Sequence, residues 1–357
     1  MAGRDPKNGS NKSSVNEAEE RELDELMKLM DRVWHLIEEG KLDEAEVEGK
    51  KALAADPEAP EGHTLLGMIA AQRNDIPGAL AFYKKAAELD PEYIEPLLLA
   101  AELHMALDQP DEAVGLCELA IEAAEDEEDF LDALLLKVEA HLAQQDDEAA
   151  EEALAELPAV DLPDPSYHTR AGTAWIDLGD LDAAEKHLET ALRLDAKFTD
   201  AIHALGVVYD ERGETQKMVK AFLAVREEDL KREAPAWGVS KERFEEIATA
   251  TLAELPAKIR DLLGNVPIHT SDYPAKEIVA EGNDPRMMGF FSGIPLPEKG
   301  SVGGAPSLDC VFLYQRNIER VCQTRAEVEE EIRTTIFHEA GHFFGLDEDE
   351  LEKMGLG

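Results

Sequence analysis

NDIPGALAFYKKAAELDP, from Asn74 to Pro91, decides the fold of the first two thirds of the chain. A short polar turn at Asn74 and Asp75 leads to Ala79, a second small residue follows at Ala86, and Asp90–Pro91 closes the segment. Proline cannot continue a helix and pushes the residue before it to extended backbone, so Pro91 marks a helix end. The same turn-then-alanine pattern returns along the chain: GKLDEA ends at Ala45, NDIPGA at Ala79, QPDEA at Ala113, QDDEA at Ala149 and GDLDAA at Ala184, and GETQKM places Met218 in the slot. The intervals are 34, 34, 36, 35 and 34 residues. A fixed period of this size predicts stacked copies of one two-helix unit.

Small residues also recur around that slot. Gly67, Ala101, Gly172 and Gly206 lie 12 positions before it, and Ala52, Ala86, Ala120 and Ala191 lie 7 after it. Small side chains at such offsets let antiparallel helices approach closely. The pattern resembles the tetratricopeptide repeat, with Tyr83, Trp175, Tyr209 and Phe222 at the long apolar positions of that family. The resemblance implies an all-α superhelix over residues 22–230, about five to six helix pairs, whose concave face binds a protein or peptide. The fourth unit fits least well, with Lys137 and Glu156 where small residues are expected. His63, His104, His141, His168 and His203 fall at repeat-related positions on first helices, as expected of packing residues.

Composition restricts the partners. The formal net charge is -44, with 57 acidic residues against 23 basic before residue 240 and 22 against 12 after it. Such a surface repels phosphate backbones and anionic lipid, which argues against nucleic acid and membrane partners and fits a basic protein or peptide on the repeats. Residues 1–21 are polar throughout, an expected disordered tail without the apolar core of a secretory signal. No apolar run approaches the roughly 18 residues of a membrane helix, so a cytoplasmic protein is expected. Cys117, Cys310 and Cys322 form no CxxC pair and are expected to be buried, reduced thiols.

The period fails near Lys231. Pro235 and Gly238 mark a linker over 231–240, and residues 241–357 are expected to form a small α+β domain. Its opening helix is written by Phe244, Ile247, Leu252, Leu255, Ile259 and Leu262, with Ser240 as cap and a bend near Pro256. NVPIHTSDYP reads as a short strand. MMGFFSGIP interrupts a Gly/Pro-rich span, and DCVFLYQRNI alternates at Val311, Leu313 and Gln315 as a strand with one buried face. Thr324 and Glu327 make a capping box that starts a last helix over 325–344.

That helix carries FHEAGHFFGLDEDE. His338 and His342 are four apart and share a face, so two imidazoles can reach one zinc ion, and Glu339 beside them can take a proton from water. Gly345 can adopt the left-handed conformation that turns the chain back after a helix, bringing in Asp347, Glu348 and Asp349. Only 15 residues follow His342, whereas a third ligand on a separate downstream helix needs about twenty or more. The expectation therefore falls on Glu348, six beyond His342 as in HExxHxxGxx(H/D) peptidases, with Asp347 and Asp349 as alternatives.

With these residues the region from about 241 onward resembles the minimal zincin-like metallopeptidase family of small bacterial domains. FEEIATATLAELPAKIRDLLGNVPI, MMGFFSGIPL, VFLYQRNI and FHEAGHFFGLDEDELE carry the likeness. It implies Zn2+ held by His338, His342 and Glu348, with Glu339 as general base. Many relatives have Asp at the position of Glu348. MMGFFSGIP and VFLYQRNI are the two candidate edges for an extended substrate, Tyr314, Arg316 and Tyr273 the candidate oxyanion donors, and Met354 a candidate apolar floor. The expected function is a zinc peptidase to which the repeats recruit a protein. The alternative is a repeat scaffold carrying a structural or weakly active zincin-like domain.

Overall fold

The computed structural model describes residues 26–37, 39–158, 162, 164–254, 267–293, 310–322 and 324–344. The polar tail 1–21, the bend at Pro256, Gly345, the acidic run 347–349 and Met354 lie outside the described residues. Contacts gather into two compact units, Met1–Pro163 with Thr173–Asp180, and Asp164–Gly172 with Leu181–Gly357.

Helix pairs build the repeats. In the first unit α1 (26–37), α2 (Leu42–Ala55), α3 (Pro60–Gln72), α4 (Ile76–Leu89), α5 (Glu95–Ala106), α6 (Pro110–Ala123), α7 (Glu127–Ala143) and α8 (Asp147–Ala155) follow in order. Then α9 (Pro165–Asp177), which crosses from one unit to the other, is followed by α10 (Leu181–Leu194), α11 (Thr199–Glu211) and α12 (Thr215–Asp229). Each turn within a pair has one residue in the left-handed region: Gly40, Asn74, Asp108, Gln145, Gly179 and Gly213, at φ between 56° and 78°. At Asn74 the chain closes with Asn74 N–H donating to Ala71 O and Asp75 N–H to Ala70 O, the pairing that satisfies orphan carbonyls at a helix end. Asp56 and Asp90, before their prolines, are extended at ψ 98° and 99°.

Those left-handed residues correct the register of the fourth unit. Five positions after each come Ala45, Ala79, Ala113, Ala150, Ala184 and Met218, all buried. The slot in the fourth unit is therefore Ala150 and not Ala149, which is only half-buried. The cause is the 17-residue α7, longer than the other first helices. With the register shifted, fully buried Val138 takes the packing position assigned to Lys137, which reaches Glu118 instead at 3.6 Å.

The small residues meet the large ones as the period implies. A Cβ on Gly67 would stand 2.5 Å from Tyr83, one on Gly206 2.3 Å from Phe222, and one on Gly172 2.7 Å from Leu188. Three pairs of neighbouring repeats share a polar contact too, in which the residue before the left-handed position reaches an Asp of the preceding repeat. Arg73 meets Asp43 at 2.5 Å, Gln144 meets Asp111 at 2.7 Å and Arg212 meets Asp182 at 2.6 Å.

In the second unit the last repeat leads into a small α+β fold: α13 (Lys241–Glu254), β1 (Ile268–Ser271), α14 (Lys276–Ala280), β2 (Gly289–Ser292), β3 (Cys310–Tyr314), α15 (Gln315–Arg320) and α16 (Arg325–Phe344). The sheet order is β1-β3-β2, with β1 parallel and β2 antiparallel to β3. Val311 and Leu313 bury one face of β3 against Phe244 and Ile247 of α13 and against Val328, Ile332 and Ile336 of α16. Thr324 caps α16, its hydroxyl accepting from Glu327 N–H at 3.2 Å.

The strand read through DCVFLYQRNI ends earlier than its alternation suggests. Tyr314 is its last residue and Gln315 begins α15. Gln315 is buried because its amide donates to Val239 O and to Glu319 Oε1, both at 2.8 Å, rather than because it continues the strand's apolar face. The stretch 231–240 is likewise tied down: Trp237 Nε1–H donates to Glu319 O and Val239 N–H to Glu319 Oε1, each at 3.0 Å.

The last repeat and the domain share a core and an ion-pair network inside this unit. Val279 of α14 packs with Met218 and Phe222 of α12. Arg286 reaches Asp200 at 2.8 Å and Asp229 at 3.3 Å, Arg320 reaches Asp200 at 2.7 Å, and His203 Nε2 lies 2.9 Å from Asp284. None of the three cysteines is in a disulfide; Cys117 and Cys322 are buried as expected, and Cys310, first in β3, is half-buried. Among the described residues no helix is long and apolar enough to cross a membrane.

Candidate metal centre

Helix α16 presents one stripe to a groove. Glu331, Thr335, His338, Glu339 and His342 recur at the spacing that keeps side chains on one helical face, and Met287 to Phe291 form the facing wall. The groove holds about 450 Å³. His338 Nε2 and His342 Nε2 stand 3.0 Å apart, with the two rings nearly perpendicular at 83°. Two imidazole nitrogens on one tetrahedral zinc, each at 2.0–2.1 Å, are separated by roughly 3.3 Å. The pair therefore converges to within a few tenths of an ångström of the separation that two imidazoles on one zinc need, and these two donors fit the metal.

Glu339, between them in sequence, is 6% exposed. Its side chain lies against the backbone of β2: a Cβ on Gly289 would stand 2.7 Å from both Cγ and Oε1 of Glu339 and 2.8 Å from Thr335 Cγ2. Only a residue without a side chain lets the strand come so near the helix. Gly289 is a member of the site that reading the sequence did not single out, although it stands in MMGFFSGIP, the one apolar island of a Gly/Pro-rich span.

Among the described residues no group of three or more His, Cys, Asp or Glu side chains is placed to hold a metal. The residues expected to complete the set, Glu348 with Asp347 and Asp349 as alternatives, lie outside the described residues.

Two expectations need correction. β3 is paired on both sides, so VFLYQRNI has no edge for a substrate, whereas β2, like β1, is a terminal strand among those described, and β2 is the one that lines the groove. The three oxyanion candidates are absent from the described lining of the groove. Tyr273 donates its hydroxyl to Asp229 O at 2.8 Å, and Arg316 is held by Glu319 at 2.6 Å. Tyr314 is 1% exposed, and burial, with the charge of Glu339 second, pushes its hydroxyl up to about 12.

Comparison with known families gives the same partition. The model of the zincin-like metallopeptidases matches residues 263–357, and tetratricopeptide-repeat models match 30–94, 70–130 and 165–198. The chain joins tetratricopeptide repeats to a zincin-like metallopeptidase domain.

No curated protein matches the chain by sequence. Solved structures similar to its repeats include YrrB, a repeat protein with an unusual peptide-binding site, at 22% identity and TM-score 0.37, covering 50% of this chain and 91% of that one. The type IV pilus biogenesis factor PilW follows at 15% identity and TM-score 0.48, covering 58% and 95%. PilF of Pseudomonas aeruginosa has 13% identity and TM-score 0.47, covering 59% and 95%. At these values the likeness carries no argument about function. Within the zincin-like domain, the described site is two converging imidazoles and a buried carboxylate beneath an edge strand.

The repeat histidines are engaged in packing and local hydrogen bonds. His104 and His141 each pair with a glutamine, Gln109 and Gln144, at 2.9 and 3.0 Å, and His63 Nε2 meets Pro57 O at 3.1 Å. His168 and His187 face each other, Nδ1 to Nδ1, at 3.2 Å.

Proposed function

We propose that the zincin-like domain is a zinc-dependent peptidase acting on extended peptide segments, and that the repeats recruit the protein bearing them. The observation that carries this reading is the convergence of His338 and His342 beside a buried Glu339. In it His338, His342 and Glu348 hold Zn2+, with Asp347 or Asp349 as the alternative third ligand. When bound, zinc supplies Lewis acidity toward a water and a peptide carbonyl.

The chain's own groups do the rest. Glu339, held against the backbone of Gly289, accepts a proton from water and returns it to the leaving amine. The outer edge of β2 offers main-chain groups to an extended segment, which aligns its backbone along the groove. Recruitment by the repeats raises the local concentration of a segment that a small cleft binds weakly. The surface charge suits a basic partner and opposes nucleic acid and anionic membrane, and a cytoplasmic setting suits cysteines that form no disulfide.

A second reading, a repeat scaffold with a structural or weakly active zincin-like domain, draws on a different observation. A groove of about 770 Å³ between α4, α5 and α6, lined by Leu80, Leu97, Leu116 and Leu119, offers the repeats a binding surface of their own.

The deciding experiment measures zinc per chain in the wild type, His338→Ala and His342→Ala, then cleavage of an unbiased peptide library before and after chelation. The proposal expects one zinc in the wild type alone and cleavage that returns when zinc is restored. Zinc binding without any cleavage favours the scaffold; a wild type that binds no zinc removes the metal centre.

A further inference from the structure

The groove contains a carboxylate that the hydrolytic reading does not use. Glu331 lies on the same stripe of α16 as the histidines, two turns before Glu339, and accepts a hydrogen bond from the Thr335 hydroxyl at 3.3 Å. Its neighbours on the helix are differently placed. Glu329 pairs with Arg243 at 2.7 Å and Glu330 with Arg333 at 3.1 Å, whereas no lysine or arginine is among the described residues lining the groove. The opposite wall, Met287, Met288 and Phe290, is apolar. A half-buried carboxylate facing such a wall loses hydration and gains most when a ligand brings a cation to it.

Its distance from the histidines gives the register. From Glu331 to the middle of the His338–His342 pair is about nine residues of helix, roughly 13 Å at 1.5 Å per residue. An extended peptide advances about 3.3 Å per residue, so the same span covers roughly three to four residues.

We propose that Glu331 is a specificity-determining residue that selects a lysine or arginine three to four residues from the bond presented to His338, Glu339 and His342. The proposal deepens the peptidase reading and rests on it in one respect, that the peptide lies extended in this groove. The side chains in between meet Met287, Met288 and Phe290. Charge reversal at Glu331 reverses the preference.

The test uses the full chain loaded with zinc and carrying Glu339→Gln, so that peptides are bound and not consumed. Short fluorescent peptides, identical except for Lys, Ala or Glu scanned through every position, are titrated against this protein and against the same protein with Glu331→Gln or Glu331→Lys. One position is expected at which Lys binds about tenfold more tightly than Ala, the effect of one partly desolvated charge pair. That advantage disappears in Glu331→Gln and passes to the Glu peptide in Glu331→Lys. Equal binding of all three peptides at every position, a preference unchanged by either substitution, or no binding at all overturns the proposal. Cleavage of the same peptides by the wild type separates the two claims: charge-selective binding without cleavage retains the role of Glu331 and rejects the peptidase, and cleavage without charge selection does the reverse.

Discussion

Gly289 lies so close to Glu339 that a methyl group added to the glycine would stand 2.7 Å from the Cγ and the Oε1 of the glutamate. This contact joins the edge strand to the helix that carries His338 and His342 and holds the carboxylate against the groove's lining. Gly289→Ala must move either β2 or both Glu339 and Thr335. The expected loss of stability is about 1–3 kcal/mol, as for other overpacked sites, with a fall in peptide hydrolysis larger than the change in stability explains. Denaturant titration and kcat/KM on one cleaved peptide check both; unchanged values refute the contact.

Gln145 is the largest side chain at a left-handed repeat turn, φ 58°, where Gly40, Gly179 and Gly213 stand in other repeats. An L-residue there is disfavoured by roughly 1–2 kcal/mol relative to glycine. Gln145→Gly is expected to raise stability by about 1 kcal/mol, seen as a higher denaturation midpoint at constant m. The same change at Gln144, whose side chain reaches Asp111 at 2.7 Å, is expected to destabilise.

Arg286 and Asp229 form a pair with almost no solvent exposure, at 9% and 4% for their side chains. Removing one partner leaves a buried charge, and Arg286→Ala is expected to cost about 3–5 kcal/mol. Arg286→Met with Asp229→Asn is expected to cost less than Arg286→Ala alone. For the same reason a fragment of residues 241–357, without Asp200, His203 and Asp229, should unfold more readily than one of 164–357. Comparing both by denaturation and hydrogen exchange checks this.

Burial, together with the charges of His168 and Lys186, lowers His187 from its ordinary 6.5 to about 4. A base lowered by folding takes up its proton more readily when unfolded, so it subtracts nothing above pH 6.5. Its penalty grows as pH falls through 6.5 and levels off below about 4. His187→Gln should therefore flatten the stability profile between those limits, and parallel profiles for mutant and wild type would exclude the effect.

What the sequence reveals follows from how local each signal is. The Gly67–Tyr83 and Gly206–Phe222 contacts were implied by the period, because identical spacing produces identical packing. The extra length of α7 hid the true slot at Ala150, since letters around Ala149 imitate the pattern one residue early. Thr324 and Glu327 announced α16 through a local cap. Gln315 misled, because its burial depends on Val239 and Glu319, far away and close by, and neither is visible in strand alternation. The HEAGH spacing revealed His338, Glu339 and His342. The role of Gly289 depends on how near a strand 50 residues away comes to that helix.

The most direct measurement compares hydrolysis by the wild type and Glu339→Gln, each carrying the same measured amount of zinc, on the same peptide set. Loss of a positioned general base accounts for about 10²–10⁴ in rate. The account predicts a loss of that size in Glu339→Gln with zinc content and fold unchanged. Equal rates in the two proteins, or no hydrolysis by either at full zinc occupancy, would contradict it.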